Sequence, residues 1–475
     1  MRDLVVFLAV LASLPICFRR PYVGLLVFTW LAYMRPQDLC WGFAQTMRFS
    51  LYVGITMIAG YLARERGERR FFKRDTRTTA MVTLLLITYV STIPARKFDG
   101  EIFTGLFEFT KIIAVALFTS GQCDTKDRVR GLAWIIAISL GFFGVKGGLH
   151  GIATGGSAIH QGPGGMLEDN NDFALGMVMC LPFIFYLGAA EKWKLVRLAS
   201  FAAVGLTVVT IVLTHSRGGF LALSAVFLFM AWRSGRLIRA LLGLGILLTA
   251  FVLFAPESVR ERYRTIDDVR TGQQDGSVQG RLVSWQIALS MVKHHPLLGV
   301  GHKNFQANYQ THAAIVFPGM PVVTRVTHNS YLQIWSENGT IAITLFLVIL
   351  FSVFFVGRNI RAIAKRHGDM AWAIRYSNMI EASMLGFIIG GFFLNRGHFD
   401  LTYQVAGLAT ALWFTVRAHV FQTATAPAGP AALAAAPASP NTAPPRSELP
   451  AESTRPVWGR PQFGLPGAPR WARPG

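Results

Sequence analysis

Long apolar runs recur along most of the chain, and they constrain the fold more than any other feature of the sequence. Most are long enough, or nearly long enough, to cross a bilayer hydrocarbon core of about 30 Å as a helix. Only 15% of the residues are charged, whereas a soluble protein carries about a quarter. A membrane-spanning barrel would instead alternate apolar and polar residues in segments of about ten, a pattern that is absent. The sequence therefore predicts an all-α, polytopic transmembrane helical bundle.

About twelve or thirteen spans can be placed, and the run near the N-terminus is interpreted as an uncleaved first helix. The second span is short. The predicted spans are 3–18, 21–34, 49–63, 79–95, 102–119, 131–148, 172–190, 195–214, 218–232, 238–255, 331–357, 378–395 and 401–420.

The basic residues predict the orientation of the bundle. The chain has a net charge of +21, but most Lys and Arg lie in short links between apolar runs, which argues against nucleic-acid binding. The links 64–77 and 358–375 are rich in basic residues, whereas 149–171 has none. Placing the rich links in the cytoplasm agrees with every predicted span, because basic residues favour the cytoplasmic side. The loop 256–327 is then periplasmic, and it is long enough to escape this rule.

The chain divides into five predicted regions. The last is rich in Pro and Ala, holds more than half of the 22 prolines and lacks periodicity, which predicts a disordered cytoplasmic tail. The regions are N-terminal transmembrane helices (1–120), core transmembrane helices (121–255), a large and partly helical periplasmic loop (256–327), C-terminal transmembrane helices (328–421) and the tail (422–475).

Three polar segments share the predicted extracytoplasmic face. HQGPGGMLEDNNDFAL, at 160–175, is a Gly-rich loop that enters a helix near Asn170 and Asn171. THSRGGFLAL, at 214–223, is a hairpin too tight for a large exposed loop. The long loop is the third segment, and it ends at THNSY immediately before an apolar span. An anchor needs no such residues, so their clustering indicates a site.

Two arginines are candidates for binding an anion, since a guanidinium can hold phosphate in a bidentate fork. Arg217 is the one Lys or Arg of a link on the predicted outer side, where the orientation of the bundle requires no basic residue. As an alternative, an interfacial arginine can snorkel to the membrane surface. Arg281 is predicted in the first turn of an amphipathic helix over 281–293, where a solvated surface role remains the alternative.

His328 is the candidate proton acceptor. An imidazole with a pKa near 6.5 is mainly neutral at pH 7 and can take a proton. Asn329 follows it and is also suited to cap the next helix. On that helix Asn329, Gln333 and Glu337 form one stripe, and Glu337 is expected to make a structural contact within the bundle. The four cysteines and the scattered histidines match no metal-binding spacing, so no metal or cofactor is expected.

These segments, in this order, resemble the O-antigen ligase and polymerase family of bacterial envelope proteins. The resemblance covers roughly 160–345 and consists of DNNDFAL, SRGGFLAL, GRLVSW followed by HPLLGVGHKNF, and HNSYLQIWSENG. The N-terminal RRPYVGLLVFTWLAYMRPQDL is further similar to the putative O-glycosylation ligases that accompany exosortase systems. GHKNF departs from the small residues expected after GVG, which leaves the shape of the nearby pocket open.

The resemblance implies a glycosyltransferase-type ligase in the bacterial inner membrane. Its partners would be a polyprenyl (undecaprenyl) diphosphate-linked glycan and an acceptor lipid, protein or polysaccharide. The glycan would pass to an acceptor hydroxyl on the periplasmic side, without metal and with inversion. Arg217 and Arg281 would meet the diphosphate charge, and His328 would act as the base. Candidate substrate-binding residues are Asn170, Asn171, Lys303 and Asn329.

Two other functions stay open at this point. A polymerase of the same family would extend a glycan on the same carrier, and the shared motifs do not separate it from a ligase. A polysaccharide or lipid transporter would place ionisable residues near the middle of the membrane and show paired halves with broken helices. Here the strongest polar residues lie at predicted outer helix ends and in the long loop, which favours the enzyme.

Overall fold

The computed structural model describes residues 1–235, 238, 241, 245 and 276–425, and its main unit is Met1–Ala424. Within those residues the chain forms 14 α-helices and one two-stranded antiparallel hairpin. The predicted all-α polytopic fold is confirmed. The hairpin pairs β1 (Gln161–Gly164) with β2 (Leu167–Asp169), inside the Gly-rich segment that was predicted only as a loop.

Each predicted span in the part of the chain that the structure describes corresponds to one helix, with bounds that differ by up to about seven residues. The helices are α1 (Arg2–Arg19), α2 (Pro21–Met34), α3 (Phe49–Gly60), α4 (Thr76–Thr92), α5 (Gly100–Gln122), α6 (Lys126–Ala153), α7 (Asn170–Ala189), α8 (Lys194–Leu213), α9 (Arg217–Arg233), α10 (Gly276–His294), α11 (Phe305–Val316), α12 (Ser330–Ala364), α13 (Ala371–Gly390) and α14 (Asp400–Thr425).

Five of these helices are long and apolar enough to cross a membrane by length and composition: α5, α6, α7, α8 and α12. The other helices that match predicted spans are shorter or more polar. Most of the predicted span 238–255, the first part of the long loop up to residue 275 and the tail beyond residue 425 lie outside the described residues. The five predicted region boundaries stay predictions.

Helix α7 is the centre of the bundle. It packs against α6, α8, α9 and α13, and nearly all of its side chains from Asp172 to Gly188 are buried. A helix that is apolar all round belongs in the interior of a bundle, because it has no face that prefers water. The N-terminus of α7, with Asn170 and Asn171, is thereby placed at one end of the bundle interior.

Several basic residues that the charge rule assigned to links are held in buried ion pairs instead. Arg233 and Arg361 both contact the carboxylate of Glu381, which is 1% exposed, and Arg233 does so at 2.5 Å. Arg77, 2% exposed, contacts Asp75 and donates to Thr410 of α14 at 2.9 Å. The pairs of Glu381 join α9, α12 and α13, and the hydrogen bond of Arg77 joins α4 to α14. Removing one partner of such a pair would leave a buried charge uncompensated.

Helices α10 and α11 have a small core of their own. Ile287 and Met291 of α10 pack against Phe305 and Tyr309 of α11, and Val300 of the connecting loop joins them. A helix therefore exists where the amphipathic helix was predicted, but it starts five residues earlier than the predicted 281–293, so that Arg281 lies in its second turn. Two of the apolar residues predicted on its buried side, Leu282 and Leu289, are exposed. Its apolar face is covered by α11 and by the start of α12.

Candidate functional site

The loop HPLLGVGHKNF and the segment SENG, which are far apart in sequence, interlock in the structure. Helix α12 breaks at Gly339, whose φ of 82° and ψ of −178° are not helical. Across this break Val300 N–H donates to the Ser336 carbonyl at 2.9 Å, and Gly301 N–H donates to the Glu337 carbonyl at 2.8 Å. Carbonyls that a continuous helix would use internally are thus satisfied by the loop.

The glycines of this interlock have no space for a side chain. A Cβ at Gly339 would lie 2.0 Å from the Leu297 carbonyl oxygen, and one at Gly299 would lie 2.5 Å from the Ser336 carbonyl oxygen. Both glycines have positive φ, which L side chains disfavour. The close approach of the two backbones therefore requires glycine at these positions.

The same loop is also fixed to the link between α4 and α5. The Asn304 side chain accepts from Lys97 N–H at 2.8 Å and donates to the Lys97 carbonyl at 3.1 Å. His302 N–H donates to Thr92 Oγ1 at 3.4 Å, and Asn338 donates to Ser91 Oγ at 2.9 Å. The position of Lys303 is consequently determined by three separate parts of the chain.

A cavity of about 310 Å³ lies where α7, α10, the start of α12 and the link before α14 meet. We call it the arginine cavity. It brings together three predicted site residues, Arg281, His328 and Asn171, although they are separated by up to 157 positions in the chain. Its lining consists of Asp169, Asn171, Asp172, Arg281, Val326, His328, Phe393, Leu394, Asn395 and Arg396.

The backbone holds His328 in a conformation that most residues avoid. Its φ is 47°, in the left-handed region, between two anchored neighbours. Asn329 Oδ1 caps α12 by accepting from Tyr331 N–H at 2.9 Å and Leu332 N–H at 3.0 Å. On the other side Trp285 Nε1 donates to the Thr327 carbonyl at 2.9 Å. Such a fixed, sparsely populated conformation is typical of residues whose placement serves a site.

The surroundings of His328 keep its imidazole neutral. Burial lowers the pKa of His328 below its usual value of 6.5, and the positive charges of Arg281 and Arg325 lower it further, while Asp169 raises it. Arg281 and His328 also line the same cavity. A neutral imidazole beside a guanidinium can accept a proton at pH 7 while the cation meets negative charge.

The sequence analysis missed Arg396, a second arginine of this cavity. It lies in the link before α14, contacts the buried carboxylate of Asp172, and lines the cavity. Although burial opposes its charge, the contact with Asp172 raises the pKa of Arg396. The sequence contained a signal for Arg396, because it is a lone arginine in a link on the predicted outer side. The same reasoning had selected Arg217. Ion pairing with Asp172 offsets part of its charge.

The link that carries Arg396 is attached to α12. Ser330 Oγ donates to the Leu394 carbonyl at 2.8 Å and accepts from Arg396 N–H at 3.0 Å. Gln333 Oε1 accepts from Gly397 N–H at 3.0 Å. The polar stripe at the start of α12 therefore orients the link, which no spacing in the sequence indicates.

A second cavity, of about 330 Å³, adjoins the first, and we call it the histidine cavity. The two share Val326, Asn395 and Arg396. The lining of the histidine cavity consists of Glu101, Gly105, Glu108, Phe109, Ile112, Met166, His302, Lys303, Phe305, Gln306, Val326, Gln333, Glu337, Asn395, Arg396 and His398.

The remaining predicted residues lie around the two cavities. Lys303 lines the histidine cavity and, like His328, has a left-handed backbone, with φ of 55°. The Asn170 amide donates to the Thr214 carbonyl at 2.8 Å and so joins α7 to the hairpin between α8 and α9. Arg217 begins α9 in that hairpin and is exposed; it does not line either cavity. Its neighbour Gly218 packs against Phe393 of the arginine cavity.

The tight hairpin has a local explanation. His215 has φ of 52°, which turns the chain sharply, and Ser216 Oγ then caps α9 by accepting from Gly219 N–H at 3.1 Å. A serine at this position satisfies an otherwise unpaired helical N–H. The structure therefore places Arg217 at the first position of a helix, where the helix dipole adds positive potential to its own charge.

No cluster of three or more His, Cys, Asp or Glu side chains suited to a metal ion occurs among the described residues. The two carboxylates of the arginine cavity have other partners. Asp172 contacts Arg396, and Asp169 caps α7 by accepting from Asn171 N–H at 2.8 Å. The ligand chemistry that this cavity supports is therefore that of its cations and its imidazole.

The fold and these cavities define a multi-pass helical membrane protein with a polar site at one end of its bundle. Residues 201–347 match the family model described as O-Antigen ligase, and residues 1–192 match a family of unknown function. The segment 201–347 of the chain therefore matches the O-antigen ligase family model, which supports the resemblance drawn from the sequence motifs. Arg217, Arg281, Lys303, His328 and Asn329 all lie inside the matched region.

A curated relative from Haemophilus influenzae, described as an uncharacterized protein, is 26% identical over 183 residues. The match covers 34% of this chain and 44% of the relative, so the chain spans less than half the length of that relative. The more specific resemblance to ligases of exosortase systems stays a prediction.

Proposed function

We propose that the protein is a membrane glycan ligase that transfers a glycan from a polyprenyl diphosphate carrier to an acceptor hydroxyl. The observation that supports it best is the single cavity lined by Arg281, Arg396 and His328, two of which, Arg281 and His328, lie in the segment that matches the O-antigen ligase model. The bacterial inner membrane and a periplasmic position of this cavity are parts of the same proposal.

In the proposed reaction, the acceptor oxygen attacks the anomeric carbon while the bond from that carbon to the diphosphate oxygen breaks. The attacking hydroxyl passes its proton to the neutral imidazole of His328, and polyprenyl diphosphate leaves with the bonding electron pair. Attack from the face opposite the diphosphate inverts the anomeric centre. The imidazolium then releases its proton to solvent, which returns His328 to its neutral form.

The imidazole and the guanidinium groups lower the activation barrier in different ways. Assistance by a positioned base is worth about 10²–10⁴ in rate. The leaving diphosphate carries negative charge in a partly dehydrated site, where fixed guanidinium groups stabilise it more than water would. Arg281 lines the cavity together with His328 and is proposed to meet the diphosphate there. Arg217, at the first position of α9, lies outside the lining, and its proposed contact with the diphosphate rests on the family resemblance and on its neighbour Gly218 packing against Phe393 of the cavity.

The direct test is transfer in vitro, with purified protein, undecaprenyl diphosphate-linked glycan and chelator. Arg281→Ala and His328→Ala are expected to lower kcat/KM by about a hundredfold or more. Arg358→Ala and His150→Ala, at exposed positions outside both cavities, are the matched controls and should retain activity. Full activity in both site variants would refute the assignment, and loss of wild-type activity in chelator alone would indicate a metal.

The same assay separates a ligase from its sibling activity. A ligase adds one preformed glycan to a distinct acceptor, whereas a polymerase produces a ladder of products on the lipid carrier itself. Analysis of the products by gel and mass spectrometry therefore decides between the two without any further variant.

Single cysteines can test the proposed orientation, because all four native cysteines are buried. Ser157→Cys, in the loop before β1, and Arg66→Cys, in the basic link after α3, both replace exposed residues. A membrane-impermeant maleimide added to intact cells is expected to label position 157 and not position 66. The reverse pattern would refute a periplasmic site.

A further inference from the structure

The histidine cavity contains polar groups that the proposed reaction does not use. His302 is 2% exposed, and neither of its ring nitrogens has a hydrogen bond of good distance and angle among the residues that the structure describes, although the backbone of Gly105 lies close enough to raise the pKa of the imidazole. Nε2 of His398 is also buried and lacks a partner within the same residues. The two rings meet edge to face at 4.6 Å. Since buried polar atoms are normally satisfied, such a group lining a cavity indicates a ligand or ordered water.

These imidazoles are neutral. Burial lowers the pKa of His302 to about 4, with a further contribution from the charge of Lys303. Burial also lowers the pKa of His398 well below its usual value. A neutral imidazole carries one donor and one acceptor nitrogen, which suits a hydroxyl group, itself both donor and acceptor.

The charges around this cavity differ from those of the arginine cavity. Glu101 and Glu108 lie at its rim, and each is paired with a surface lysine, at 3.3 Å and 2.6 Å respectively. Glu337 is buried inside and accepts from Lys303 N–H at 3.1 Å. Arg396 is likewise paired with Asp172, which leaves the opposite charges of Glu337 and Lys303 to offset one another. The lining therefore supplies hydrogen-bond acceptors and has no surplus of positive charge for a further anion.

The shape supplies an apolar wall as well. Phe109 packs edge to face on His398 at 4.5 Å, and Phe305 closes the cavity from α11. The volume of about 330 Å³ is in the range of a small-molecule site. A sugar ring combines apolar C–H faces with a rim of hydroxyls, and this pairing of aromatic rings with neutral and acceptor groups fits it.

We propose that the histidine cavity is a subsite for an uncharged, hydroxyl-rich sugar ring held next to the diphosphate. The inference rests on the proposed function, in which a sugar must lie beside the arginine cavity. The ring can belong to the first sugar of the lipid-linked donor or to the acceptor glycan. Either source presents the same chemistry to His302 and His398.

The test measures binding, so that it does not depend on turnover. The full-length protein in nanodiscs is titrated with undecaprenyl diphosphate, with undecaprenyl diphosphate–N-acetylglucosamine, and with the glucuronic acid counterpart. Methyl glucoside and methyl glucuronide are titrated as acceptor-side probes. The variant is His302→Leu combined with His398→Leu, and the control is His294→Leu combined with His295→Leu, two exposed histidines of the same region.

Losing two hydrogen bonds is expected to weaken binding of the uncharged sugar by about tenfold. Affinity for undecaprenyl diphosphate alone should stay within about twofold, and the control should match the wild type. Weaker binding of the lipid-linked sugar assigns the subsite to the donor, and weaker binding of methyl glucoside assigns it to the acceptor. The glucuronic probes should bind more weakly than their uncharged counterparts to the wild type.

Equal affinity of the variant and the wild type for every sugar probe would overturn the inference. So would an equal loss for bare undecaprenyl diphosphate, or preference for the glucuronic probes. Gln306→Trp, at an exposed position on the cavity rim, is a second variant that blocks the entrance without altering the interior. It is expected to weaken sugar binding likewise. Sugar binding without any transfer would refute the proposed function and leave the subsite standing.

Discussion

Lys303 and Glu337 meet across the break in α12, where the Lys303 backbone N–H donates to Glu337 Oε2 at 3.1 Å. The contact joins the GHKNF segment to the SENG segment. It explains why a glutamate follows the polar opening of a long apolar helix, since its carboxylate holds the loop that lines the histidine cavity. The structural contact predicted for Glu337 thus has a defined partner, which the sequence did not indicate.

The first prediction concerns the glycine at the break. Gly339→Ala is expected to lower the free energy of unfolding by about 1–2 kcal/mol for the left-handed backbone and by about 1–3 kcal/mol more for the clash with Leu297. Gly319→Ala is the matched control, because Gly319 has a similar φ of 76° but nothing within 4 Å of the added Cβ. Thermal unfolding in detergent measures both. Equal losses of stability in the two variants would show that the added methyl group at position 339 does not clash with Leu297.

The second prediction concerns the pH dependence of transfer. Because the pKa of His328 is lowered, its base form persists below pH 6.5, and kcat/KM is expected to decline only at lower pH. Arg281→Lys is expected to leave the acidic limb of the kcat/KM profile at the same pH, because a positive charge is retained at position 281. Asp169→Asn should move the limb to still lower pH, because it removes the carboxylate that raises the pKa and an asparagine still caps α7. An acidic limb unaffected by Asp169→Asn would contradict His328 as the titrating base.

The third prediction concerns the indole that holds the His328 segment. Trp285→Phe removes the donor to the Thr327 carbonyl and should lower kcat, with a loss of stability of only about 1 kcal/mol. Trp335→Phe is the control, because its Nε1 donates at 3.0 Å to Thr340, outside both cavity linings. Steady-state kinetics compares the two. Equal effects on kcat would mean that Trp285 has no particular role in placing His328.

The fourth prediction separates two roles of Asn329. Its side-chain oxygen caps α12, so Asn329→Ala is expected to lower the free energy of unfolding by about 1 kcal/mol. Asn329→Asp keeps the capping oxygen but loses the amide donor. Recovery of both stability and transfer by the aspartate would show a capping role alone. Recovery of stability without transfer would support the predicted contact with substrate.

The fifth prediction concerns the ion pair between Arg396 and Asp172. Arg396→Ala leaves the 8%-exposed carboxylate without its partner and is expected to destabilise the fold by about 3–5 kcal/mol. The combined Arg396→Gln and Asp172→Asn variant removes both charges and should unfold at a higher temperature than Arg396→Ala. A double variant no more stable than the single one would show that the pairing contributes little.

The apolar runs and the links were sufficient to predict an all-α membrane bundle, and the order of the motifs predicted the O-antigen ligase resemblance that residues 201–347 support. Local rules decide these features, because a helix that crosses lipid must satisfy its backbone internally and keep an apolar surface. The helix starts at Asn170, Arg217 and Ser330 follow from capping residues in the same way. Three features of the site became visible only in the tertiary structure. They are the common cavity of Arg281 and His328, the position of Arg396 in that cavity, and the contact between His302 and His398. Contacts between distant segments decide them. Backbone hydrogen bonds across the break in α12, and hydrogen bonds from side chains of α12 to the backbone of the link before α14, set which side chains share a cavity.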